Sequence, residues 1–95
     1  MSSIEQWRDK IDEIDKRLVE LLNERARYAD EIGKIKEQLG MEAYSPKREK
    51  DVLENILKHN GGPLNDLALR RLFERIIDES RKLEREAMSE RKKQK

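Results

Sequence analysis

The sequence predicts an all-α chain of three helices, the first very long, that pairs with a second copy of itself. Three observations carry that expectation. Of 95 residues, 45% are charged and only 35% hydrophobic, with Glu, Lys, Arg and Leu prominent, which is the composition of long helices and coiled coils. The apolar residues recur at helical spacing, a regularity a disordered chain does not need. The first helix is also too long for the other two to cover.

The first helix is expected over about 3–39. Ile4, Trp7, Ile11, Ile14, Leu18, Leu21, Tyr28, Ile32, Ile35 and Leu39 fall on a spacing of alternating threes and fours that passes over position 25, the a/d stripe of a heptad repeat. Ser3 is placed to cap it, with Gln6 as the capping-box partner. No proline interrupts it, and Gly33 is its weak point. At 1.5 Å per residue such a helix is about 55 Å long.

A break follows from Gly40 to Pro46. Ser45 then suits the cap and Pro46 the first turn of a second helix, about 46–58, with Val52, Leu53, Ile56 and Leu57 inward. His59-Asn60-Gly61-Gly62-Pro63 stops it, His59 at the C-terminal end where a capping role fits. The third helix is expected from Asn65 or Asp66 to about Ser89, its inner side carrying Leu69, Leu72, Phe73, Ile76, Ile77, Leu83 and Ala87. Residues 90–95 contain no apolar side chain and read as a frayed basic tail. A second helix of about 20 Å leaves one end of a 55 Å amphipathic rod bare. A two-fold homodimer with antiparallel long helices is the simplest cover.

Bulk properties narrow the function. Residues 1–95 suit one small domain. The balance of 22 basic against 21 acidic residues, net +1, argues against a dedicated nucleic-acid binder. Cysteine is absent, so disulfides and thiolate metal sites are excluded, and the single His59 does not make a histidine metal site. No apolar run reaches the roughly 20 residues of a membrane span, and no signal-peptide pattern opens the chain. The expectation is a soluble cytoplasmic protein without nucleic-acid or membrane partners.

The informative residues are those that break the apolar pattern. Arg25 falls where the stripe calls for Leu or Ile, and Lys36 lies about three turns further along nearly the same face. Arg48 and Glu49 open the apolar face of the second helix. In the third, the line through Phe73 and Ile77 turns polar at Ser80 and Glu84. Each has a plainer reading alone. Arg25 can fix coiled-coil register, Lys36 can snorkel, and Arg48 and Glu49 can belong to a solvated first turn. Ser80 can bond its own backbone, and Glu84 can pair with Arg81 or Arg85. Together they form a cation-rich interior that wants an anion, and arginine is the preferred partner of carboxylates. The chain shows no Ser-His pair, metal set or glycine-rich phosphate loop, so its chemistry is expected to rest on positioning and electrostatics, without a cofactor.

These residues carry a family resemblance. Trp7-Arg8-Asp9-Lys10-Ile11-Asp12-Glu13-Ile14-Asp15 with Leu21-Leu22-Asn23-Glu24-Arg25 resembles the opening of the all-helical, AroQ-class chorismate mutases. So do Ile32-Gly33-Lys34-Ile35-Lys36, Pro46-Lys47-Arg48-Glu49, Leu72-Phe73 and Ile76-Ile77-Asp78-Glu79-Ser80, over about residues 4–88 in order. The resemblance implies an intertwined, domain-swapped homodimer with two sites that rearrange chorismate to prephenate in aromatic amino-acid biosynthesis. It assigns one substrate carboxylate to Arg25 and the other to Arg8 of the second subunit. Lys36 contacts a carboxylate and the ether oxygen, Arg48 and Glu49 the ring hydroxyl region, and Ser80 a carboxylate. Arg8 lies about 25 Å from Arg25 on one rod, too far to share that chain's ligand.

Two positions depart from the family pattern. Ser45 stands where aspartate is frequent, with little effect if that position acts through its backbone. Glu84 stands where glutamine is usual and has to be protonated to donate to the ether oxygen. Burial raises its pKa and Lys36 lowers it, a balance the sequence leaves open. Isochorismate pyruvate lyase on the same scaffold, a non-catalytic helical dimerisation module and a mutase activated by a partner enzyme of the same pathway are the alternative readings.

Overall fold

The computed structural model describes residues 3–93. Among these the chain is helical and contains no strand: α1 is Ser3–Gln38, α2 is Pro46–Lys58 and α3 is Asp66–Lys93. Every predicted helix is present, and the boundaries follow from local chemistry.

α1 stops at a glycine. Gly40 has φ 69°, which lets Met41 N–H donate to Lys36 O at 2.8 Å and Gly40 N–H to Glu37 O at 3.2 Å. This paired closure satisfies two orphan carbonyls of the last turn. At the other end Ser3 is itself helical rather than the predicted cap. Ser45 caps α2 as expected: its extended backbone lets Oγ accept from Arg48 N–H at 3.2 Å, with Pro46 in the first turn. His59 is the C-cap, its N–H donating to Ile56 O at 3.1 Å. Asn65 caps α3, Oδ1 accepting from Ala68 N–H at 2.8 Å.

α3 runs on to Lys93, past the predicted end at Ser89, so residues 90–93 are helix rather than a frayed tail. An apolar criterion misses this turn because an ion pair holds it. Arg91 Nε donates to Glu37 Oε2 at 2.6 Å, and Arg91 Nη1 is 3.9 Å from Asp30 Oδ1. Gln94 and Lys95, the rest of that predicted tail, lie outside the described residues.

α3 packs on both other helices, which do not pack on each other. Ser80 meets Arg25, Glu84 lies over Gly33 and Arg91 reaches Glu37, so α3 runs in the direction of α1 against its second half. The inward side of α2 is half-buried at Val52, Leu53, Ile56 and Leu57. On α3, Ile77 is the buried hydrophobic residue and Leu69, Phe73, Ile76 and Ala87 are half-buried. Leu72 and Leu83 were expected inside and are exposed in the single chain.

The α1 stripe is bare. Trp7 is 61% exposed, Leu18 49% and Ile35 55%, and the chain is an elongated body of 61 × 28 × 15 Å. A contiguous apolar face of this length marks an interaction surface. No helix among the described residues is long and apolar enough to cross a membrane.

The α1–α3 seam gives a stability prediction. Gly33 is buried in it, and a Cβ placed there meets Glu84 Cγ at 3.5 Å, an ordinary contact. Alanine is the better helix former by about 1 kcal/mol. Gly33→Ala is therefore expected to raise the melting temperature by about 4–8 °C in thermal denaturation. A fall would show that the seam needs the glycine for clearance.

Candidate functional site

One cavity of about 230 Å³ opens where the three helices and the α1–α2 link converge. α1 contributes Arg25, Ile32 and Lys36, the link Ala43, Tyr44 and Ser45, α2 Arg48, Glu49 and Val52, and α3 Ile77, Ser80, Arg81 and Glu84. Seven residues predicted for a site thus share one wall: Arg25, Lys36, Ser45, Arg48, Glu49, Ser80 and Glu84. The eighth, Arg8, does not line it. It sits far back on α1, Nη1 3.0 Å from Glu5 Oε1, with its side chain 67% exposed.

The convergence follows from helix periodicity. Arg25 and Lys36 project from α1 about three turns apart, and the half-buried α3 line through Phe73 and Ile77 continues into Ser80 and Glu84. The cap of α2 aims its first turn at the same space, bringing Arg48 and Glu49 to the rim.

Internal contacts hold the cations in place. Arg25 Nη1 donates to Ser80 Oγ at 3.1 Å. Lys36 Nζ donates to Ala43 O at 2.9 Å, which ties the link to α1 and leaves ammonium protons for another acceptor. Burial lowers the pKa of Arg25, and Arg48 nearby lowers it further, while Glu84 opposes both. A guanidinium stays charged under such pressure, so it gains from an anion that restores its lost solvation.

Glu84 answers the balance left open by the sequence. Burial, the largest effect, raises its pKa, the neighbouring Asp30 adds to this, and Lys36 and Arg25 work against it. Burial prevails. The plainer reading, in which Glu84 pairs with Arg81 or Arg85, is not what the structure adopts. Arg81 instead reaches Glu49 Oε2 at 3.4 Å and Asp78 Oδ1 at 2.9 Å.

Arg81 and Tyr44 were not among the sequence candidates. The Arg81 guanidinium stacks 4.5 Å from the centroid of the Tyr44 ring. Among 22 basic residues nothing singled out Arg81, since the apolar line passes through its neighbour Ser80. Tyr44 lies in the link, where periodicity carries no information.

The arrangement can bind a small dianion and present positive charge and donors to an atom that becomes negative. Comparison with known proteins agrees with that chemistry. The family profile described as chorismate mutase type II matches residues 7–85. The chain is 36% identical over 89 residues to a bifunctional chorismate mutase/prephenate dehydratase of Aquifex aeolicus, covering 90% of this chain and 25% of that protein. It is 30% identical over 94 residues to a chorismate mutase of Methanocaldococcus jannaschii, covering 95% of this chain and 92% of that one. The chain thus spans about a quarter of the bifunctional relatives and nearly all of the shorter one. Among solved structures, the chorismate mutase of Helicobacter pylori in complex with prephenate superimposes with a TM-score of 0.86 at 31% identity, covering 95% of this chain and 98% of that one.

Proposed function

Because the chain belongs to the chorismate mutase type II family, we propose that its cavity rearranges chorismate to prephenate within a two-fold homodimer. The observation that carries the proposal is the meeting of Arg25, Lys36 and Arg48, from two helices, with Ser80 and Glu84 from a third around one space. The prephenate bound by the Helicobacter pylori relative is the product such a site releases.

The reaction is intramolecular. The ether C–O bond breaks as a C–C bond forms between the enolpyruvyl methylene and the ring, so no nucleophile or external base enters. Rate comes from holding the flexible side arm over the ring and stabilising the charge that builds on the ether oxygen. Arg25, with Ser80 beside it, holds one carboxylate. Arg8 of a second copy holds the other, which gives a use to a residue stranded on its own rod. Lys36 and protonated Glu84 donate to the ether oxygen. Arg48 and Glu49 face the ring hydroxyl, and Ser45 acts through its backbone at the mouth.

The exposed α1 stripe supports the dimer. It is the apolar surface that the chain's own α2 and α3 leave uncovered, and a second α1 lying antiparallel covers it. The chain is then a cytoplasmic enzyme of aromatic amino-acid biosynthesis. A linked or associating enzyme that consumes prephenate is consistent with the fused relatives.

The test is to incubate purified protein with chorismate or isochorismate, without additives, and identify the product. Prephenate from chorismate is expected. Pyruvate released from isochorismate in its place would identify a lyase; neither product would leave a dimerisation module or a mutase that needs a partner enzyme, which a gain on adding that enzyme separates.

Glu84 adds a pH signature. Its pKa is raised, and the protonated form is the donor, so kcat is expected to fall as pH rises through that pKa, by at most about tenfold per unit. Glu84→Gln donates at every pH and is expected to flatten this limb. An unchanged profile in Glu84→Gln would remove Glu84 from the mechanism.

A further inference from the structure

Arg81 is the charged cavity residue to which no role has yet been given, and its contacts are specific. Its side chain is 28% exposed. Nη1 reaches Glu49 Oε2 on α2 at 3.4 Å, Nη2 reaches Asp78 Oδ1 on α3 at 2.9 Å, and the guanidinium plane covers the Tyr44 ring of the link at 4.5 Å. One group therefore joins the three segments that form this side of the cavity.

Electrostatics makes the contact to Glu49 matter. The substrate class is a dianion, and Glu49 is a carboxylate in the wall that receives it. Unpaired, it repels both substrate carboxylates and swings freely. Paired through Oε2, its charge is offset in part by a guanidinium it shares with Asp78, and Oε1 is held where it can accept a hydroxyl. A carboxylate in that state favours a ring bearing a hydroxyl donor over one lacking it, because leaving a desolvated acceptor without its partner is costly.

Resting on the chorismate mutase reading above, we propose that Arg81 is a positioning residue that fixes Glu49 and offsets its charge, and so sets affinity for a hydroxyl-bearing cyclic dicarboxylate. It touches no reacting atom. Its effect passes through Glu49, so it belongs in KM rather than kcat and disappears when Glu49 carries no charge.

The experiment is a double-mutant cycle of Arg81→Met and Glu49→Gln with chorismate as substrate, each variant checked for helical content and melting temperature. Arg81→Met alone is expected to raise KM about tenfold with kcat within about twofold, the scale of a lost charge pair at a partly exposed site. On the Glu49→Gln background the same change is expected to cost less than about threefold. Arg81→Lys, which keeps the charge but not the fork, is expected to fall between parent and Arg81→Met. Two results overturn the inference while leaving the function standing. One is an Arg81→Met enzyme whose kcat/KM stays within about twofold of the parent. The other is a loss of equal size on both Glu49 backgrounds that follows the melting temperature, which reduces Arg81 to a fastener of the link. A parent protein that converts no chorismate overturns the underlying reading, and this inference with it.

Discussion

Lys36→Met is expected to lower kcat about 10²- to 10³-fold while leaving the helical circular-dichroism signal unchanged. The magnitude is that of removing one preorganised donor from an atom that gains charge in the transition state. Methionine keeps most of the lysine stem, so packing against the cavity wall is retained and the ammonium is what is lost. The folded state loses one hydrogen bond, from Nζ to Ala43 O, worth about 1 kcal/mol. That is too little to unfold the chain, and a modest drop in melting temperature is expected. The discriminating quantity is the split between constants. If Lys36 only attracted the substrate, KM would rise and kcat would hold; loss of a transition-state contact lowers kcat and kcat/KM together. A kcat within about tenfold of the parent would show that another group faces the ether oxygen.

Arg25→Ala is expected to reduce kcat/KM about 10³-fold, the range for truncating one partner of a largely desolvated, hydrogen-bonded charge pair. Two facts raise this above an ordinary surface arginine. The residue occupies an apolar position of the α1 stripe, and burial together with Arg48 already disfavours its charge. A bound carboxylate relieves that cost, and alanine removes the partner it pairs with. Arg8→Ala is a sharper case. In a single chain Arg8 touches Glu5 at an exposed end, and its loss should matter little. If a second copy delivers Arg8 to the substrate, the same substitution lowers kcat/KM by about 10²-fold or more, by the same charge-pair argument. Steady-state kinetics on the two variants, with sedimentation to check assembly, separate these outcomes.

How much of this was legible in the sequence differs by level. Helix boundaries were readable because punctuation is local: Gly40 in its left-handed turn, Ser45 before Pro46, and His59 at a C-cap all act through neighbours a few residues away. Six of the seven cavity residues were readable because each opens or interrupts an apolar face that geometry forces inward, where a polar side chain is conspicuous; Ser45, in the link, was named for the site only by the family resemblance. Arg81 was not readable, because it sits beside the apolar line in a chain where nearly half the residues are charged. Its importance arises only when α2 brings Glu49 and the link brings Tyr44 to it. The last turn of α3 escaped for a related reason, since Arg91 is held by charge rather than by hydrophobicity.

The protonation tendency of Glu84 illustrates a different limit. Sequence names the opposing influences, but their balance depends on how much water the α1–α3 seam excludes. In the fold the Glu84 side chain lies against α1 at Gly33, a placement that only the packed seam reveals. The exposure of Leu72 and Leu83 has the same character: periodicity identifies an apolar face without saying whether the same chain or another one covers it.

The most direct test mixes two inactive proteins. Arg8→Ala and Arg25→Ala chains are unfolded together at equal concentration, refolded, and assayed for conversion of chorismate to prephenate. Random pairing of subunits makes half the dimers mixed, and each of these holds one site with both arginines intact. Activity is then expected to recover to about a quarter of the parent value. A mixture no more active than the two variants measured apart would contradict a cavity completed across the two-fold axis.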